Sequence, residues 1–127
     1  MDTRTKIVTV GDAGALARGP RPVAVVTGHF DVLLAPYARE LARMRESHPG
    51  ALLLVALTPP PEALLEPRAR AEMVAALAVV DYVVSLEEGD AEGFLAAFNA
   101  ARIVRLEDAH RQDMRELIEH VHSRQSA

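Results

Sequence analysis

The chain has no cysteine and no tryptophan, 4% aromatic residues, and one lysine, Lys6, among its 14 basic residues. Each shortage removes a class of chemistry. Without cysteine there is no disulfide, no thiolate nucleophile and no cysteine-ligated zinc. The composition suits a reducing compartment, and a cytoplasmic location is expected. A mechanism that depends on a lysine amine is disfavoured, because Lys6 sits close to the first residue. Long apolar runs are missing too: Ala51–Leu57 falls far short of the roughly 20 residues that cross a bilayer. The opening MDTRTKIVTVGDAGALARG lacks the apolar segment of a secretory signal. Positive charge is also scarce. A net charge of −4 and a pI near 5.7 argue against nucleic acid or an acidic membrane surface as a partner.

What is present is ordinary for a globular domain: 127 residues, half of them hydrophobic and a quarter charged. One domain over 1–127 is expected, with a lead-in segment at 1–21 and a C-terminal helix at 107–127. PVAVVTG (22–28), ALLLVALT (51–58), DYVVSL (81–86) and RIVRL (102–106) are near-continuous runs of the kind that form strands covered on both faces. Helical stripes alternate with them: Tyr37/Leu41/Met44, Met73/Val74/Leu77/Val80, Phe94/Leu95/Phe98 and Met114/Leu117/Ile118/Val121. Residues 5–18 read as an extended piece and a short helix. This alternation predicts a Rossmann-like, doubly wound α/β fold: a parallel sheet of four, at most five, strands with helices on both faces. Numbering the four apolar runs in chain order, the expected sheet order is 3-2-1-4. Ligands of such sheets bind beyond the carboxyl ends of the strands, where Gly28–Tyr37, Thr58–Pro67 and Ser85–Glu92 lie. The third of these, SLEEGDAE, reads as a solvated helix entry, and no metal site is expected there.

VAVVTGHFDVL (23–33) resembles the first strand and Gly-x-Phe-Asp turn of the cytidylyltransferase-like nucleotidyltransferases. RARAEMVAALAVVDYVV (68–84) and the lead-in KIVTVGDAGALARG look like parts of the ADP-heptose synthase nucleotidyltransferase domain. The resemblance spans roughly residues 5–106. It implies a nucleotide site built from Thr27, Gly28, His29, Phe30, Asp31, Tyr37, Arg70 and Arg105, and, if binding is retained, CTP or ATP with magnesium beside a sugar phosphate. Arg70 could instead form a salt bridge to Glu66 or Asp81.

The resemblance breaks at one place. In that family a His-x-Gly-His motif opens the first helix and holds the nucleotide phosphates, because phosphoryl transfer needs fixed positive donors around developing negative charge. Here Leu34-Ala35-Pro36-Tyr37 stands in its place. Leucine donates nothing, tyrosine is a neutral donor, and proline suits the first helical turn while deleting an N–H. Loss of one such donor costs about 3–4 kcal/mol of transition-state stabilisation. His29 and Arg39 are the residues that could compensate, although Arg39 is expected to face solvent. The family's later Ser-Thr-Thr-Arg motif has no counterpart in EDAHRQDMRELIEHVHSRQ.

No second constellation stands out among the histidines. His120 and His122 fall on different helix faces, His48 precedes Pro49 in a loop, and His110 with Asp113 suggests a surface hydrogen bond. Three functions are therefore expected in turn. The first is a degenerate nucleotidyltransferase-like domain without transferase activity, retained for a ligand or partner. The second is an active enzyme of the ADP-heptose synthase or glycerol-phosphate cytidylyltransferase type, acting on a sugar or polyol phosphate. The third is a structural or oligomerising module. A homodimer is expected, because the strand at 102–106 leaves a sheet edge that needs cover. The apolar stripe of the last helix could instead fold back over that edge.

Overall fold

Five parallel strands are arranged in the order β1-β4-β3-β2-β5. In the computed structural model, which describes residues 2–32, 35–86, 91–98, 100 and 102–125, they are β1 Ile7–Val8, β2 Val23–Gly28, β3 Leu52–Leu57, β4 Tyr82–Ser85 and β5 Arg102–Arg105. The helices are α1 Val10–Leu16, α2 Ala35–Ser47, α3 Pro67–Ala75, α4 Ala91–Ala97 and α5 Glu107–Gln125. The four apolar runs pair in the expected order. The extended piece before them adds a short fifth strand, with Ile7 and Val8 opposite Val83 and Val84 of β4. The fold is Rossmann-like.

Strand burial follows position in the sheet. All six residues of β2 and five of six in β3 are buried, whereas β5 at the edge keeps three of its four exposed. Side chains alternate across the pleat, so each central strand feeds two cores. Ala24, Val26, Leu53 and Val55 face α2 and α3, through Leu41, Met44 and Val74. Val23, Val25, Leu54 and Ala56 face α1 and α4, through Ala13, Leu95 and Phe98. Tyr37, Leu41 and Met44 of the first stripe are all buried. The second stripe is shorter as a helix than its spacing suggests: α3 ends at Ala75, and Leu77 and Val80 pack from the turn that follows.

One ion pair and its hydrogen bonds pin the amino-terminal ends of the central strands. Arg45 of α2 pairs with Asp81 and donates to the carbonyls of Val79 and Ala51, while Asp81 Oδ2 also accepts from the Leu53 amide at 2.8 Å. Lys6 closes the outer edge by donating to the Leu77 carbonyl at 3.0 Å.

α5 does not fold back over the β5 edge. Leu117, Ile118 and Val121 remain 37–44% exposed, as does Ile103 of β5 at 39%. Among the described residues no helix is long and apolar enough to cross a membrane.

Candidate functional site

Strand order reverses between β2 and β5, because the chain runs from β2 to β3 on one side and later returns to β5 on the other. The crevice beyond their carboxyl ends is where ligands of open parallel sheets bind. It is built from the turn that leaves β2 and the first turns of α5.

The β2 turn is tightly determined. The Thr58 amide donates to the Gly28 carbonyl at 2.9 Å, and the Leu106 amide to the Thr27 carbonyl at 2.8 Å. Phe30 is fully buried with φ of 46°, a left-handed conformation that costs a bulky residue of order 1–3 kcal/mol and persists where its surroundings impose it. Asp31 is buried, and its two carboxylate oxygens accept from the amides of Leu64 (2.7 Å) and Leu65 (2.8 Å). It ties the proline-rich segment after β3 to the turn.

His110 supplies what imposes the turn. One helical turn into α5 and 5% exposed, its ring lies over Gly28, where Nδ1 accepts from the amides of His29 (3.1 Å) and Phe30 (3.2 Å). Its centroid is 4.4 Å from Phe30, edge to face, and 4.0 Å from Tyr37. A β-carbon on Gly28 would stand 2.5 Å from His110 Cε1 and 2.9 Å from Phe30 Cε2, so glycine is required here by space. Burial, with His29 nearby, pushes the His110 pKa down from 6.5 to about 4. The ring is therefore neutral at pH 7. With Nδ1 accepting, the proton sits on Nε2, which is buried without a partner among the described residues.

The remaining groups lock this arrangement. The Tyr37 hydroxyl donates to Asp113 Oδ2 at 2.5 Å, and burial together with that carboxylate raises its pKa, so it stays protonated. His29 is 4% exposed; its Nδ1 lies 2.9 Å from the Thr58 carbonyl and its Nε2 3.1 Å from Arg111 Nη1. The geometry assigns the proton to Nδ1, leaving Nε2 as acceptor. Thr27 Oγ1 donates to Glu107 at 2.6 and 2.7 Å.

All eight residues that the sequence resemblance implies lie at or just behind this crevice, but most are occupied internally. Arg70 forms a salt bridge with neither Glu66 nor Asp81. It is 4% exposed and donates Nη1 to the carbonyls of His29 (3.1 Å) and Thr58 (3.4 Å), because α3 aims it at the backs of the two loops. Asp81 is held by Arg45 instead. Arg105 pairs with Glu92 and approaches Glu107 at 3.8 Å; its guanidinium holds the Glu92 carboxyl below its usual range. Arg39 is exposed, as expected, and Pro36 lies in the first turn of α2. Leu34 and residues 87–90 of the acidic loop fall outside the described residues.

His110 and Asp113 do not form the surface pair that their spacing suggests. The histidine turns inward to the β2 amides and Asp113 takes Tyr37. The inward placing of His110, Arg111 and Glu107 at the crevice is what sequence reasoning misses. The signal for them was the short step from β5 to α5, which brings the helix start over the β2 turn.

Two hollows flank the His29–Arg111 contact. One, of about 420 Å³, carries Glu92, Glu107 and Asp108 against Arg105 and Arg111. Its cations are already paired with those carboxylates, which disfavours a polyphosphate. The other, of about 440 Å³, lies between α5 and the 60–64 segment and is largely apolar. No cluster that could hold a metal ion occurs among the described residues.

No protein-family model matches the chain, and no curated protein does. Among solved structures, the chain is similar to a lipopolysaccharide core biosynthesis protein from Thermoplasma volcanium GSS1, with a TM-score of 0.58 and 20% sequence identity over 65% of this chain and 72% of that one. The likeness is one of fold.

Two outcomes follow from the His110 geometry. Gly28→Ala should lower stability in urea unfolding by about 1–3 kcal/mol, the usual cost of overpacking a filled site. The second concerns pH. A histidine kept neutral in the native state takes up a proton on unfolding, so its contribution is complete above pH 6.5 and lost as pH falls toward about 4. Relative to His110→Gln, which does not titrate, the wild type should lose up to roughly 3 kcal/mol across that window.

Proposed function

We propose that this chain is a non-catalytic relative of the cytidylyltransferase-like nucleotidyltransferases, kept for binding a ligand or partner after transferase chemistry was lost. The observation that carries the reading is the His110 ring over Gly28. Its Nδ1 takes the two amides that a nucleotide phosphate would use at such a turn. Three further features support it. The first turn of α2 presents Pro36 in place of an N–H donor. The start of α5 carries Glu107 and Asp108, whose charge suits the helix dipole but repels an incoming phosphate. Arg105 and Arg111 each already face a carboxylate, Glu92 and Asp108. The family assignment itself rests on the Gly-x-Phe-Asp turn and the Arg-Ala-Glu helix, and the likeness to a lipopolysaccharide core biosynthesis protein supports it at the level of fold.

The test is direct. CTP or ATP with magnesium and a sugar or polyol phosphate should release no pyrophosphate. Either nucleotide should stabilise the protein by far less than the roughly 2.7 kcal/mol produced by a ligand at a hundredfold excess over its Kd. Turnover at an enzyme-like rate, abolished by His29→Ala or Tyr37→Phe, would overturn the reading.

The same reading includes a homodimer. β5 has an open edge, and Ile103, Leu117 and Val121 are exposed along it and the outer half of α5, a surface that a second copy would cover. Light scattering should give twice the chain mass, and Leu117→Lys with Val121→Lys should give monomer with the fold intact. A monomeric wild type at high concentration would contradict it.

A further inference from the structure

The largely apolar cleft has a direction. His110, Met114 and Ile118 recur every fourth residue of α5 and so form one line along the helix. Arg111 and Arg115 form the neighbouring line. Over eight residues the line is about 12 Å long. Pro60, Pro61 and Leu64 stand opposite, held in place because Asp31 binds the Leu64 and Leu65 amides. The cleft volume of about 440 Å³ lies within the range of small-molecule sites.

Its polar groups differ in what they still offer. Both Asp31 oxygens are occupied by amides, and the Tyr37 hydroxyl is committed to Asp113. Two further donors belong to residues that line the cleft, His110 and Arg111. His110 Nε2–H is buried and unpartnered, a group that is costly to leave without an acceptor. Arg111 adjoins it, donating to His29 Nε2 and paired with Asp108, which is 96% exposed, so that solvent screens the pair. Arg115 stands a turn further out and donates to Gln112.

We infer that this cleft binds a linear monocarboxylate, with the carboxylate accepting from His110 Nε2–H and Arg111 and the hydrocarbon tail lying along Met114 and Ile118 against Pro60, Pro61 and Leu64. One neutral donor and one guanidinium whose existing ion pair is exposed to solvent suit a single negative charge. A phosphate dianion lacks a second cation there, and Glu62 on the opposite wall adds repulsion. The inference rests on reading the chain as a non-catalytic binding domain and names the ligand class of its cleft.

Calorimetry with octanoate, octanol and octyl phosphate tests it. Octanoate should bind the wild type saturably and one to one, with octanol and octyl phosphate at least tenfold weaker. Arg111→Gln should weaken octanoate at least tenfold and leave octanol unchanged. Ile118→Glu, at a position 42% exposed in the wild type, should remove binding of both, and circular dichroism should show both variants folded. Octanoate failing to bind, octanol or octyl phosphate binding as tightly, or Arg111→Gln binding octanoate like the wild type would overturn the inference. CTP with magnesium is titrated in parallel. Nucleotide that displaces octanoate would overturn this inference, and pyrophosphate release from it with a sugar phosphate would overturn the non-catalytic reading as well, whereas absence of both octanoate binding and turnover would overturn this inference alone.

Discussion

At the end of β2, one imidazole nitrogen accepts from two successive backbone amides, and the surrounding structure is arranged to keep it there. Gly28 has no side chain because the His110 ring occupies that volume. Phe30 takes a left-handed backbone conformation that turns its amide toward the same nitrogen. Tyr37 and Phe30 close around the ring from α2 and the turn. Each group would be strained or unsatisfied without the others, and together they hold a sharp turn that an empty site would leave with exposed donors. A bound anion is the usual way to satisfy such amides. In this chain a neutral side chain does so, supplied by the helix that directly follows β5.

Charge at the strand ends tells the same story. A site for a polyphosphate needs cations in excess, fixed and partly dry. Here Arg105 meets Glu92 and Glu107, Arg111 meets Asp108, and Arg70 is turned away to the carbonyls of His29 and Thr58. Thr27 gives its hydroxyl to Glu107. Each of these cations is paired or hydrogen-bonded within the protein. The apolar cleft alongside suits a mostly hydrocarbon body better than a polyphosphate.

The fold was legible because buried parallel strands leave an unmistakable pattern. Val23–Val26 and Leu53–Leu57 are apolar on both faces, and only a sheet covered on both sides needs that. β1 was harder to see, since two residues cannot show a period. The departure of Leu34-Ala35-Pro36-Tyr37 from the resembled His-x-Gly-His motif was also visible, because leucine and tyrosine differ in kind from histidine. The partner of the β2-turn amides was not. His110 lies 81 residues from His29, and no local pattern says that a polar helix will turn that ring inward. Spacing suggested a pair with Asp113; the buried space above a glycine 82 positions earlier decided otherwise. Arg70 was found by likeness, but its carbonyl partners depend on how two loops converge.

The most direct test of this account is the protonation of the His110 ring, read by nitrogen-15 NMR of the imidazole between pH 7.5 and 5. The account predicts a single neutral tautomer throughout, with Nε2 carrying the proton and Nδ1 showing the shift of a hydrogen-bonded acceptor. A ring that titrates near pH 6.5, or one with its proton on Nδ1, would mean that the two turn amides are free for an anion, and the claim that this protein fills its own phosphate position would be contradicted.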